Sequence, residues 1–165
     1  MKRVLITGMS GTGKSSVIQE LAARGYQAYD LDTPEWSEWI DTDPRDMLTP
    51  AQGKDWVWRV DRVKALLSKP EDGTQFISGC AENMMRLFPL IDAVILLSAP
   101  VATIMERLAK RSPGSHGGGA EERQKVADLI STIEPLLRQS ADYEIDTRRP
   151  IYATVDEILR ICSAT

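Results

Sequence analysis

Only two cysteines and a single histidine occur in the 165 residues. So few thiols exclude a disulfide framework and fit a reducing compartment, which leads to the expectation of a cytoplasmic protein. A single histidine, His116, excludes a histidine-built zinc site and a Ser-His-Asp triad. No apolar run approaches the roughly 20 residues of a membrane-spanning helix. The chain opens directly on a strand-like segment, so no signal peptide and no membrane partner are expected. Basic clusters are missing as well: 20 lysines and arginines against 24 aspartates and glutamates leave a net charge of −4. Without a positive stripe to neutralise phosphates, no nucleic acid is expected as a partner. The length suits one domain over residues 1–165, acting as a monomer or homodimer.

What is present is concentrated near the start. Gly8-Met9-Ser10-Gly11-Thr12-Gly13-Lys14-Ser15 fits G-x-x-x-x-G-K-[ST], the phosphate-binding loop of nucleoside-triphosphate enzymes. Lys2-Arg3-Val4-Leu5-Ile6-Thr7 before it reads as a buried strand. The segment from Ser15 reads as a helix with Val17, Ile18, Leu21 and Ala22 on one face and Gly25 just past its end. Strand, glycine turn and helix N-terminus together surround an anion with backbone N–H groups and a positive dipole. Gly8, Ser10, Gly11, Thr12, Gly13, Lys14, Ser15 and Ser16 are therefore the expected ATP-binding residues. Lys14 reaches the terminal phosphates, and the Ser15 hydroxyl ligates Mg²⁺.

Further along, strand-like and helix-like segments alternate. Residues 26–32, 75–78, 93–98 and 143–145 read as strands. Val101, Ile104, Met105 and Leu108 form a helical stripe. Val126, Leu129, Ile130, Ile133 and Leu137 form another with Pro135 bending it, and Val155, Ile158, Leu159 and Cys162 a last one. Apolar strands alternating with helices predict a three-layer α/β/α fold around a five-stranded parallel sheet, with ligands beyond the strand C-termini. Residues 33–70 interrupt this rhythm. They carry all four tryptophans and are expected to form a helical cap over the acceptor, with Trp36, Trp39 and Ile40 on one short helix and Trp56, Val60, Val63 and Leu67 on the next. Residues 112–120, rich in glycine, read as a short lid.

Asp30 and Asp32 end the second strand two residues apart, so both carboxylates point the same way at the ligand edge. In phosphoryl transfer one acid can hold the metal through water while the other deprotonates an acceptor hydroxyl. In this pattern the chain resembles the small P-loop kinases of metabolites and nucleotides, shikimate kinase above all. That family carries a D-x-D after the second strand, and Asp30-Leu31-Asp32 falls on it. The resemblance implies Asp32 as the base and as an acceptor contact, with Asp30 on the metal side. It extends to Arg138-Gln139-Ser140-Ala141-Asp142-Tyr143-Glu144-Ile145-Asp146-Thr147, similar to the family's closing "R…AD…IDT" strand, and to the strand, proline turn and arginine-bearing helix over residues 94–111.

Arg107 and Arg111 lie four apart on one helix face leading into the glycine-rich segment. In the resembled kinases such arginines flank a lid. This implies Arg107 near the adenine and Arg111 as a catalytic group on the transferring phosphoryl, with Arg123 a second lid arginine. Arg148, after the last strand, either contacts the nucleotide or sits on an exposed turn. On the acceptor side, Trp58, Arg59 and Arg62 could hold a polar or anionic acceptor; Arg59 could equally pair with Asp55 one turn earlier. The segment Ile77-Ser78-Gly79-Cys80-Ala81-Glu82-Asn83 departs from the glycine triplet of shikimate kinases. Gly79, Glu82 and Asn83 are read as acceptor contacts there, and Cys80 as a small buried packing residue.

The leading expectation is an ATP- and Mg²⁺-dependent kinase of a small-molecule acceptor. The alternative is a P-loop ATPase or a nucleotide-binding regulatory protein without such an acceptor. A GTPase would show N-K-x-D, which is missing. A motor ATPase would show an apolar strand ending in Asp-Glu, whereas the third and fourth strands end in Ser78 and Ser98.

Overall fold

A computed structural model describes residues 2–70, 72–110 and 119–164. Strand β1 (Lys2–Thr7) leads through a glycine-rich turn into helix α1 (Lys14–Ala23), followed by β2 (Gln27–Asp30). A hairpin of β3 (Ser37–Asp41) and β4 (Lys54–Trp58) comes next, then α2 (Val60–Ser68), β5 (Thr74–Ser78) and a 3₁₀ helix over Met84–Leu90. The chain closes with β6 (Ala93–Ser98), α3 (Val101–Ala109), α4 (Ala120–Ser140), β7 (Tyr143–Asp146) and α5 (Ile151–Ser163).

Five of the strands form a parallel sheet in the order β2-β5-β1-β6-β7. Central β1 pairs with β5 (Ile6 opposite Ser78) and with β6 (Thr7 opposite Leu96). Because every pairing is parallel, the C-terminal ends Thr7, Asp30, Ser78, Ser98 and Asp146 share one edge. The apolar runs that form these strands alternate between faces. Leu5, Ile77, Val94 and Leu96 face one core with α2, α3 and α4. Val4, Ile6, Phe76, Ile95 and Leu97 face another with α1 and α5. Each such side chain, fully buried, stabilises the fold by roughly 1.5–3 kcal/mol relative to exposure.

Arg3 is a buried exception on β1. Its guanidinium donates to the carbonyls of Leu67 (2.9 Å) and Lys69 (2.5 Å), and its backbone N–H donates to Asp92 Oδ2 (2.6 Å). It thereby satisfies carbonyls at the C-terminal end of α2 that the helix leaves unpaired.

Two sequence expectations are corrected. The segment 33–70 is not a pair of helices: its first half is the antiparallel hairpin β3–β4, and only α2 is an α-helix. Trp36, Trp39 and Ile40 therefore do not share a helix face, and Trp56 and Trp58 are strand residues ahead of α2. The reason is cross-strand pairing. Trp39 sits opposite Trp56 with ring centroids 5.1 Å apart, and Asp41 opposite Lys54, with which it forms an ion pair; such pairs are the stabilising unit of a hairpin. Strand β2 also ends earlier than expected, at Asp30, although the Leu31 N–H still reaches Ser78 O at 2.9 Å. Asp32 lies in the turn beyond.

Candidate active site

The loop after β1 wraps the N-terminus of α1 as its glycines require. Gly11 and Gly13 have φ of 84° and 100°, values side chains rarely adopt, and Gly13 is the residue preceding α1. Gly8 is needed for space: a Cβ there would lie 2.5 Å from Leu97 O and 2.8 Å from Thr12 Oγ1. Gly8→Ala is expected to lower stability by about 2–4 kcal/mol through steric overlap and backbone strain. A urea unfolding curve checks this, with its midpoint lowered and its slope unchanged. Inside the turn, Thr12 is fully buried and its hydroxyl donates to Met9 O at 2.7 Å. Lys14 Nζ folds back over the loop, donating to the carbonyls of Gly8 (2.6 Å) and Met9 (3.0 Å). Ser10 and Gly11 are half-buried on the loop's rim; Ser15 and Ser16 are exposed on the first turn of α1.

Asp30 connects this loop to the neighbouring strand. Its Oδ2 accepts from Ser15 Oγ at 2.8 Å, and its Oδ1 accepts from the Asp32 N–H at 3.0 Å. The second contact is an Asx turn, which explains why the strand stops at Asp30. Asp32 is exposed, and its Oδ1 accepts from the indole N–H of Trp56 at 2.5 Å. The structure thus brings Lys14, Ser15, Asp30 and Asp32 into one linked group at the C-terminal edge of the sheet.

Arg107, half-buried on α3, ties two loops together. Its Nη1 donates to Gly11 O and Thr147 Oγ1, both at 3.0 Å, and its Nη2 to Thr147 O at 2.6 Å. Arg148 is exposed and paired with Asp146, with Nη2 to Oδ2 at 2.8 Å, and the guanidinium holds the Asp146 carboxyl below the usual carboxylate range. Arg123 lies in the first turns of α4, half-buried. Arg111 and residues 112–118 of the expected lid lie outside the described residues.

On the acceptor side several expected contacts are engaged in holding the hairpin. Trp58 is 3 % exposed, and its indole lies so close to Gly79 that a Cβ there would come within 2.9 Å of Nε1. Asn83 grips the same tryptophan's backbone, accepting from its N–H at 3.1 Å and donating to its carbonyl at 3.0 Å. Trp58, Gly79 and Asn83 therefore pack on each other beneath the hairpin. Arg59 donates to Glu38 (2.7 Å) and Pro34 O (3.2 Å), and its N–H to Trp36 O, so its partner is Glu38 and not Asp55. Arg62 donates to Glu35 O at 2.9 Å. Glu82 is exposed.

Cys80 corrects another expectation: it is exposed, not a buried packing residue. Thr7, Lys14, Asp32 and Asp55 are its electrostatic neighbours. Crowding by protein pushes its thiol up from the ordinary cysteine range, against the pull of Lys14 and a hydrogen bond with Thr7. Asp55, half-buried on β4, is also held above the ordinary carboxylate range, chiefly by burial and then by Glu82 and Asp46. Asp55, Trp56 and Cys80 were not among the residues the sequence singled out for this site. For Asp55 and Trp56 the signal was the aromatic and β-branched run Trp56-Val57-Trp58 after Lys54-Asp55, which favours a strand whose neighbours across the hairpin decide what it faces.

Comparison with known proteins agrees with this geometry. A family model described as an AAA domain matches residues 4–127 of 165. No curated protein matches the chain. Among solved structures, shikimate kinase from Acinetobacter baumannii in complex with shikimate is similar at a TM-score of 0.64 and 19% identity, over 99% of this chain and 94% of that one. Deoxyadenosine kinase from M. mycoides with bound dATP is similar at 0.61 and 12%, over 99% and 100%. A sugar kinase from Janibacter sp. HTCC2649 is similar at 0.54 and 20%, over 97% and 93%. At these identities the likeness is one of fold. By the family match and by its five-stranded parallel sheet with a glycine-rich loop at the head of α1, the chain belongs to the AAA domain family and has the fold of the small P-loop kinases.

Proposed function

We propose that the protein transfers the γ-phosphoryl group of Mg·ATP to a hydroxyl of a small-molecule acceptor. The observation that carries this reading is the double engagement of Asp30, which links Ser15 of the phosphate loop to the Asp32 turn at 2.8 and 3.0 Å. A phosphate loop and an acid pair joined in this way are the parts that in-line transfer needs: one side holds the donor and the other activates the acceptor. Ser15 Oγ and the Asp30 carboxylate are hard oxygen donors side by side. They suit Mg²⁺, which takes one or two protein oxygens together with phosphate oxygens and water. Bound there, the ion offsets charge on the phosphate oxygens. Lys14 then shifts from its loop carbonyls to the terminal phosphates, Asp32 takes the proton of the attacking hydroxyl, and Arg111 steadies the charge on the transferring group. Arg107 keeps the phosphate loop and the 147 turn in fixed relation, forming a wall for the nucleotide base with Arg148 at its rim.

The acceptor side carries Asp32, Asp55 and Glu82, while Arg59 and Arg62 are engaged by Glu38 and the carbonyls of Pro34 and Glu35. Asp55 feels the charges of Glu82 and Asp46, and carboxylates gathered in this way repel an anionic acceptor. This supports a neutral or amine-bearing hydroxyl compound over a sugar acid or other carboxylate.

The test is ADP release from Mg·ATP across nucleosides, polyols, amino-polyols and sugar acids. Release stimulated by a neutral or cationic compound and lost in Asp32→Asn is the expected result. Slow release indifferent to every acceptor and to Asp32→Asn would overturn the reading in favour of an ATPase or a nucleotide-binding regulator.

A further inference from the structure

Asp32 stands beyond the end of β2, exposed, on a turn. An aspartate in such a place swings about its side-chain torsions unless something holds it, and a proton acceptor must be oriented to act. We infer that Trp56 is the positioning residue for Asp32, its indole N–H fixing the carboxylate that receives the acceptor's proton. The inference rests on the kinase reading for the word "acceptor" and on the 2.5 Å contact between Trp56 Nε1 and Asp32 Oδ1 for everything else.

The indole is itself held on several sides. Trp56 faces Trp39 across the hairpin, with the rings tilted by 58°. The hairpin is tied to the acid turn at its first residue, where buried Ser37 donates through Oγ to Leu31 O at 2.6 Å. It is tied to the sheet at its last residue, where Asn83 grips the backbone of Trp58. Asp32 is thus gripped twice, through its backbone N–H by Asp30 and through its carboxylate by Trp56. The choice of donor matters chemically. A lysine or arginine in this place would pair its charge with the carboxylate and weaken it as a proton acceptor. A neutral indole N–H orients the group and leaves its negative charge in place.

The test has an arm that needs no acceptor. Four indole N–H resonances are expected in a ¹⁵N-tryptophan-labelled sample, one per tryptophan. The one missing from Trp56→Phe should lie well downfield, as a hydrogen-bonded indole does, and move upfield in Asp32→Asn, where a neutral amide oxygen replaces the carboxylate. In acceptor-stimulated turnover, Trp56→Phe keeps a ring against Trp39 but loses the donor. Its kcat should fall roughly tenfold, the effect of one charge-assisted hydrogen bond. KM for ATP should hold while kcat falls, the split expected of a residue that orients the proton acceptor and leaves the nucleotide alone. A Trp56 resonance unmoved by Asp32→Asn would overturn the inference, even if Trp56→Phe unfolds. So would a Trp56→Phe enzyme with kcat and KM unchanged and a change in stability alone. Full acceptor-stimulated turnover in Asp32→Asn would remove Asp32 as the base, and the role of Trp56 with it, whatever the indole resonance shows.

Discussion

Lys14→Ala is expected to reduce phosphoryl transfer by roughly 10³-fold or more and to abolish the rise in melting temperature that ATP gives the parent protein. The side chain is half-buried and its ammonium lies against the carbonyls of Gly8 and Met9, so it sits over the loop proposed to receive the phosphates. Its bonds to Gly8 O and Met9 O stay within the loop, and the unliganded variant should melt close to the parent. The measurement is a pair of thermal unfolding curves with and without Mg·ATP, alongside turnover. A variant that still gains its full stabilisation from ATP would refute the role given to Lys14, since ligand stabilisation follows affinity directly. Arginine at this position is not expected to rescue activity, because a planar fork does not replace a compact ammonium inside a tight loop.

The second large effect is expected at Asp32. Asp32→Asn keeps the shape and can still accept through its amide oxygen, but it cannot take up the acceptor's proton. Turnover should fall roughly 10²- to 10⁴-fold, with ATP binding by calorimetry unchanged, since the Ser15 hydroxyl of the phosphate loop donates to Asp30. Asp30→Asn should behave differently. By weakening the carboxylate beside Ser15 it should raise the Mg²⁺ concentration needed for half-maximal turnover, which a metal titration of the two variants separates. Equal metal dependence in both would refute the division of labour between the two acids.

The nucleotide half of this architecture could be read from residues close together in sequence. The phosphate loop, its strand and its helix are contiguous, and their glycines have local conformational reasons to be glycine. The acid pair follows within one strand. Asp32 was placed on the strand rather than in the turn because an Asx turn depends on which way one side chain folds. In residues 33–70 the structure departs from the helical expectation for a definite reason. Trp36, Trp39 and Ile40 fit a helical spacing, and so do Trp56, Val60 and Val63. What decides between helix and strand there is the pairing of residue 39 with 56 and of 41 with 54, across a 12-residue connection that carries Pro44 and Pro50. A pattern within one segment cannot reveal a partner in another. Trp56 and Cys80 went unnoticed as site residues for the same reason: their neighbours Asp32, Lys14 and Thr7 are brought to them by folding alone.

The sheet separates two apolar layers that share no side chain, one beneath the hairpin and α2, α3 and α4, the other beneath α1 and α5. Substitutions well separated on opposite sides of such a partition combine additively. The layer that anchors α1 is therefore insulated from changes in the hairpin, whereas Met9 of the glycine-rich loop, and α3 with its Arg107 bond to Gly11 O, stand on the hairpin's side of the sheet. Under the proposed kinase reading, a laboratory library confined to residues 38–55, away from that layer, should alter the acceptor while leaving the seat of α1 and the Arg107 tie in place.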